Sequence, residues 1–417
     1  MTPSARIAAA IDILEGFGTT TQPAARFLKD WFRARRFAGS GDRRLITELV
    51  FHVLRHRAEF AHRMGREGPR ALVIAALLSE GRDPAALFTG GYGPAPLSQA
   101  EQALIAATPG EAPLWVKGEY PQWLESELTK RFGATLLEEM AGFAGRAPVD
   151  LRVNTLKAAR DDVLVRLIQD KFDCASIGAH GIRCAAGSAG LNKHPLFEAG
   201  AFEIQDQAAQ IAVERAGAGP GMRVLDLAAG AGGKSLALAA AMNNEGEIIA
   251  CDVRGAALAE LETRAARAGV TIIHSQILGL PPAQASDGAP FDLVFLDVPC
   301  SGSGTWRRQP ELKWRLNPQK LAGLRQTQER LLRQGAGLCA DTGGRLVYAT
   351  CSILPCENQD RLAAFRSRNP GFIPVHAGEI WREIQRGVLP PGLGADFRAS
   401  PLRTGTDGFY TAILRRS

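Results

Sequence analysis

From about residue 200 onward, short apolar runs alternate with helix-forming segments, and that rhythm leaves few folds open. RVLDLAA, GEIIACD, VTIIHSQ, FDLVFLDVP and GRLVYATC are rich in β-branched and aromatic residues. Between them lie helical stretches: KSLALAAAM, GAALAELETRAARAG and Pro318–Cys339. Strands that are apolar nearly throughout, rather than at alternate positions, are buried on both faces, which is the habit of a parallel sheet covered by helices. The pattern predicts a doubly wound α/β sheet. The tail PLRTGTDGFYTAILRR reads as a β-hairpin turning at Gly-Thr-Asp-Gly, an antiparallel edge on that sheet.

Two smaller regions precede it. Residues 1–117 show no strand alternation. Ile7, Ile11 and Leu14 share a helical face, as do Leu45, Leu49, Val53 and Leu54 within DRRLITELVFHVLRHR. ALVIAALL is apolar enough for a buried bundle helix, so an all-α domain is expected here. Residues 118–200 read as a small α+β domain. A helix over Gln122–Phe132 leads into a strand at VDLRVNTL, a helix at ARDDVLVRLIQ, and short strands at CASI and GIRCA. The sheet then occupies 201–417.

Charge is distributed unevenly. Residues 1–70 hold thirteen Lys/Arg against seven Asp/Glu, which is the chain's whole net charge of +6. A basic end suggests a polyanionic partner such as nucleic acid; a solvated helical face is an equally good account of the charge alone. No stretch reaches the ~20 apolar residues of a membrane span, and the N-terminus, with Asp12 and Glu15, lacks a signal-peptide layout. Seven scattered cysteines, an odd number, predict no disulfide framework. None has zinc spacing. The expectation is a cytoplasmic monomer without membrane or metal partners.

Two of those cysteines sit where chemistry gathers. Cys300 follows FDLVFLDVP and Cys351 ends GRLVYATC, so both thiols arrive at the carboxyl edge of the sheet. Two buried core cysteines would be the ordinary alternative. Together the pair suggests a site that makes a thioether and then breaks it. RVLDLAAGAGGKS is a strand, a glycine loop and a helix start. Its glycines let the backbone approach a ligand, and the helix N–H groups point at it. Asp252 ends the next strand, where an acid can hold ribose hydroxyls. Dinucleotide and S-adenosylmethionine are the candidates. GAGGKS lacks the phosphate-loop spacing GxxxxGK, and AxAGGK departs from GxGxxG. Cys251, inside a strand, and Cys356, past a strand end, read as structural.

DVPCSGSGTWRRQPELKW, YATCSILPCEN, LDLAAGAGGK, GAFEIQDQAAQ and GTDGFY together resemble the bacterial RNA cytosine-5 methyltransferases. The small-subunit rRNA branch (RsmB/Sun/NOP2-like) is the one it looks like, with an N-terminal domain similar to the helical antitermination factor NusB. The resemblance implies a class I, Rossmann-like methyltransferase domain over 201–417, behind the all-α and small α+β domains. It implies S-adenosyl-L-methionine as cofactor and an unpaired or loop cytosine of 16S rRNA as substrate. Cys351 would attack C6 of the cytosine, Cys300 would assist release, and Asp297 would lie beside base and cofactor. Ala228, Ala229, Gly230, Ala231, Gly232, Gly233, Lys234 and Asp252 match the cofactor positions, with Asp297.

Two positions depart from the family pattern. Ala231 stands where proline is usual before the paired glycines, and HSQILGLP offers only Gln276 and Ile277 where an acid usually meets adenine. Trp306, Arg307 and Arg308, followed by Lys313, Trp314 and Arg315, read as a stacking and phosphate-binding strip for RNA. Rival readings are a tRNA cytosine-5 methyltransferase, a DNA cytosine-5 methyltransferase using the PC cysteine, and a non-catalytic RNA-binding scaffold for ribosome assembly or antitermination.

Overall fold

Strands that are apolar on both sides need cover on both faces, and the chain supplies it from segments far apart in sequence. The computed structural model describes residues 1–35, 37–278, 289–384 and 394–417. They form two compact units, Met1–Gly145 with Trp306–Leu316, and Arg146–Thr305 with Asn317–Ser417. Among the described residues no helix is long and apolar enough to cross a membrane.

The first unit is helical, as its periodicity predicts. Its main helices are Pro3–Gly18, Ala24–Ala34, Ser40–Arg55, Arg57–Met64 and Pro69–Ser79. Ala71 to Leu77 are all buried, which matches the unbroken apolarity of ALVIAALL. In Ser40–Arg55 the buried stripe is Ile46, Leu49, Val50, Val53 and Leu54. Leu49, Val53 and Leu54 lie on the buried face as predicted, but Leu45 is 40% exposed and Ile46 takes its place. The helices Glu125–Phe132 and Leu136–Ala144 also belong to this unit. By packing they group with the helical unit, which runs to Gly145 before the small sheet begins.

The second unit opens with a small sheet. Its strands are β1 (Val149–Val153), β2 (Cys174–Ile177), β3 (Gly181–Cys184) and β4 (Phe202–Ile204), in the antiparallel order β2-β3-β1-β4. The helix Arg160–Gln169 buries Val163 and Leu167 among Leu151, Val153, Ile182 and Phe202. One expectation is overturned here: Cys174 and Cys184 form a disulfide, Cα–Cα 4.2 Å. They face each other across the β2–β3 ladder. Pairing register brings them together, and cysteine spacing does not reveal register.

The large sheet contains β5 (Arg223–Asp226), β6 (Glu247–Asp252), β7 (Ile273–Ile277), β8 (Leu293–Asp297), β9 (Arg345–Thr350), β10 (Phe372–Pro374), β11 (Asp396–Ala399) and β12 (Phe409–Arg416). Its order is β10-β12-β9-β8-β5-β6-β7, with β11 also paired to β12. β5 through β9 are parallel, and β12 runs antiparallel to β9. Alternate residues feed two cores. Val224, Ile248, Phe295 and Val347 pack with the helices Gln207–Ala216, Gly233–Ala241 and Gly255–Ala268. Leu225, Val294, Leu346 and Tyr348 pack with Pro318–Leu338 and Gln359–Arg368. This is the doubly wound, Rossmann-like arrangement. The tail differs from the expected hairpin. The arm before Gly-Thr-Asp-Gly is a short helix, Pro401–Thr404, and β12 pairs instead with β11 further upstream. Ser400 caps that helix, accepting from the Arg403 N–H at 3.3 Å.

Candidate active site

Strand order reverses between β5 and β8, and a crevice opens at the carboxyl ends there. A cavity of about 950 Å³ occupies it, lined by residues 226–231, Gly233, Lys234, Asp252, Val253, Leu278, Asp297, Cys300 and Cys351 among others. The structure thus gathers most of the predicted site residues around one space.

The glycine loop leaves β5 and enters the helix Gly233–Ala241. Gly232 has φ +78° and a Cβ there would lie 2.4 Å from the Leu261 side chain, so only glycine fits. The Gly230 N–H donates to Asp252 Oδ2 at 2.9 Å. Asp252 also accepts from Arg254 through its backbone N–H (2.9 Å), Nε (2.9 Å) and Nη2 (3.1 Å). Burial opposes its charge, but those hydrogen bonds prevail and hold its carboxyl below the usual range.

Asp226, fully buried beneath the loop, has its carboxyl pushed up to about 7 by burial, against a hydrogen bond from Ser235 (2.7 Å). Among the described residues its Oδ1 has no partner in full hydrogen-bond geometry, though the Ala228 backbone N–H lies near the carboxylate and lowers its pKa. Lys234 forms an ion pair with Asp297 at the end of β8. Burial works against its ammonium form, but the charges of Asp297 and Cys351 favour it, and its pKa is raised.

β8 and β9 are parallel neighbours, with Asp297 opposite Ala349. Their continuations bring Cys300 Sγ within 3.3 Å of Cys351 Sγ. The neighbouring Cys351, burial and the Glu357 charge push the Cys300 thiol well above its ordinary pKa. The loop carrying it is pinned by backbone bonds. The Gly304 N–H donates to Cys351 O (2.9 Å) and the Gly408 N–H to Gly304 O (2.8 Å). A Cβ on Gly304 would lie 1.8 Å from Gly408 O, which explains the second glycine of PCSGSG. Cys251 and Cys356 are buried, in keeping with structural roles.

A family model described as 16S rRNA methyltransferase RsmB/F matches residues 218–415. A second, the ferredoxin-like domain of the same proteins, matches residues 120–187. Ribosomal RNA small subunit methyltransferase B of Pseudomonas putida is 31% identical over 306 residues, 72% of this chain and 67% of the relative. The chain belongs to the ribosomal RNA small subunit methyltransferase B family. The Synechocystis protein named "Probable ribosomal RNA small subunit methyltransferase B" is 32% identical over 313 residues, 72% of this chain and 67% of that one. The match spans about two thirds of the length of these curated relatives. A solved structure titled as a methyltransferase homolog protein from Pyrococcus horikoshii is 25% identical, with TM-score 0.59 over 73% of this chain and 97% of its own.

Seen as a member of this methyltransferase family, the chain uses its post-PCS strip differently from the sequence expectation. Trp306 is fully buried, edge-on to Phe143 at 6.2 Å, and Arg307 is buried too. Neither is presented for stacking. Trp314 Nε1 donates to Leu54 O (2.9 Å), and Arg315 donates to Gln22 O (2.7 Å) and Thr20 O (2.9 Å). Glu311 accepts from the Ala24 N–H (2.9 Å). Burial lowers Lys313 to about 8. These side chains satisfy helix ends within the first unit. Arg308 alone of the three named RNA contacts is part-exposed.

Sequence reasoning missed the struts under the glycine loop. Arg152 donates to Gln205 Oε1 (2.5 Å) and Gly233 O (2.6 Å). Arg264 donates to Ala231 O (2.6 Å) and Glu203 (2.9 Å). Glu203 and Gln205 lie in GAFEIQDQ, a motif visible in the sequence without a role attached. The bond from Arg264 fixes the backbone at Ala231.

Proposed function

We propose that this methyltransferase transfers a methyl group from S-adenosylmethionine to C5 of an unpaired cytosine in 16S rRNA, through a covalent Cys351–C6 adduct, in the cytoplasm. The observation that carries the reading is the 3.3 Å approach of two thiols at the ends of adjacent parallel strands. One nucleophile needs one cysteine. Forming and then breaking a thioether has work for two.

The cavity suits the cofactor. Asp252 is an ionised acceptor for ribose hydroxyls, Val253 and Leu278 offer apolar faces for adenine, and the Asp226 Oδ1 is an acceptor lacking a full hydrogen bond among the described residues. Leu278 stands in for the acid expected near Gln276 and Ile277. When bound, the cofactor supplies an electrophilic methyl sulfonium.

The chain's own groups do the rest. The Cys351 thiolate adds its electron pair to C6, and C5 becomes enamine-like and nucleophilic. Asp297, ion-paired with Lys234, accepts from the N4 amino group or a protonated N3 of the base as charge develops there. After methylation the C5 proton passes to a solvent base in the cleft, its electron pair reforms the C5=C6 double bond, and the C6–S bond breaks with Cys351 leaving as thiolate. Cys300, a thiol 3.3 Å from Cys351, assists that release.

Incubation with cytosine-containing rRNA and labelled cofactor, with bisulfite sequencing of rRNA and tRNA from a deletion strain, tests this. Loss of one 16S methylcytosine supports it. Loss only in tRNA, or no cofactor binding by calorimetry, overturns it.

Asp252→Ala removes charge-assisted hydrogen bonds to the ribose and is expected to weaken binding of S-adenosylhomocysteine by about 1.5–3 kcal/mol. Calorimetry reads this directly, and unchanged affinity removes Asp252 from the site.

RNA affinity is assigned to the basic helical unit. Arg26, Lys29 and Arg33 are exposed along one face of Ala24–Ala34. Arg26→Glu with Lys29→Glu should weaken RNA binding and flatten its salt dependence, each lost phosphate contact lowering the slope by roughly 0.7 for single strands. An unchanged slope would assign the charge to a solvated face.

A further inference from the structure

We propose that Glu357 is the positioning residue that sets the alignment of the two thiols, acting through the serine that follows each cysteine. Cys300 is followed by Ser301 and Cys351 by Ser352. Both serines bond one fully buried carboxylate. Glu357 Oε2 accepts from Ser301 Oγ and Ser352 Oγ, each at 2.5 Å. Oε1 accepts from the Ser301 N–H and from Gln328 Nε2, each at 2.9 Å. Gln328 also donates to Pro299 O at 3.0 Å, so the helix Pro318–Leu338 holds the same loop.

The surroundings fix Glu357 in turn. Ser303 Oγ lies 3.0 Å from both Ser301 Oγ and Ser352 Oγ and accepts from the Ile353 N–H at 2.9 Å. Tyr348 donates to Glu357 O at 2.6 Å. Asn358 accepts from Thr350 Oγ1 (2.6 Å) and donates to Ser352 O (2.9 Å). A buried carboxylate is costly, and an apolar replacement commonly packs as well. A network whose donors converge from both cysteine loops has a positional use: it holds two loop ends that the strand ladder no longer pairs.

The inference rests on the methyltransferase reading for its purpose, but not for its test. Glu357→Gln keeps the shape and turns one acceptor oxygen into a donor facing donors. Because displacing reacting groups by ~1 Å can cost 10²-fold, kcat should fall about 10–100-fold with KM for RNA and cofactor affinity unchanged. Glu357→Asp should recover part of the rate.

A second readout needs no RNA. The azo oxidant diamide takes two electrons and two protons from the thiols, forming the Cys300–Cys351 disulfide and a hydrazine. Mapped by mass spectrometry, its formation should be about tenfold slower or more in Glu357→Gln, for the same misalignment reason. If Glu357→Gln does not fold by thermal melting, Ser301→Ala and Ser352→Ala, each removing one donor, take its place with the same expected slowing. A folded variant with parental crosslinking and parental kcat overturns the proposal. Slower crosslinking in a protein whose parent methylates no cytosine upholds the positioning role and rejects the proposed reaction.

Discussion

Cys351→Ala should abolish turnover and yield no protein–RNA adduct, whereas Cys300→Ala should trap one that survives a denaturing gel. Without the Cys351 sulfur nothing adds to C6, so C5 never becomes nucleophilic; loss of a covalent nucleophile costs roughly 10⁴-fold or more. Without Cys300 the first steps proceed and the C6–S bond persists. Cys351 directly follows the last residue of β9, and its sulfur lies 3.3 Å from that of Cys300, so one bound base is within reach of both thiols. Adduct formation by Cys351→Ala instead would reverse the roles, and full activity in both variants would end the covalent mechanism.

Asp297→Asn should lower kcat by about 10²–10⁴-fold, the range for a positioned acid–base group. The substitution keeps the side chain's shape and removes its charge. It also removes the charge that does most to raise the Lys234 pKa. A raised lysine pKa contributes stability below the unfolded value, near 10.5, which is lost as pH rises through the folded value. The Asn variant should therefore melt below the parent at pH 7–9, and the gap should close above about pH 10.5. A parental kcat would exclude Asp297 from the chemistry. A pH-independent melting gap would mean that the ion pair is not its source.

Elements whose signal is local were legible. β5 to β9 are apolar runs bounded by turns, so strand type, parallel pairing and the carboxyl-edge site followed from neighbours in the chain. Cys300, Cys351, Asp297, Asp252 and the glycine loop line one cavity because each ends, or closely follows, a strand of that sheet. Helical period likewise marked the first unit, with Leu45 alone of its predicted helix face left exposed.

What remained hidden depends on partners distant in sequence. The Cys174–Cys184 bond follows from β2–β3 register, which side-chain periodicity does not state. Trp306 and Lys313 look like RNA contacts by composition, yet they are buried because the folded helices of the first unit surround them. Glu357 sits in a motif next to Cys356 and gives no sign of its role until β8 and β9 lie side by side and both serines reach it. Sequence alone determined which residues reach the sheet edge, because strand ends are local. Only tertiary structure decided which of them touch and which polar side chains are spent in the core, because those contacts arise from strand order and packing between segments far apart in the chain.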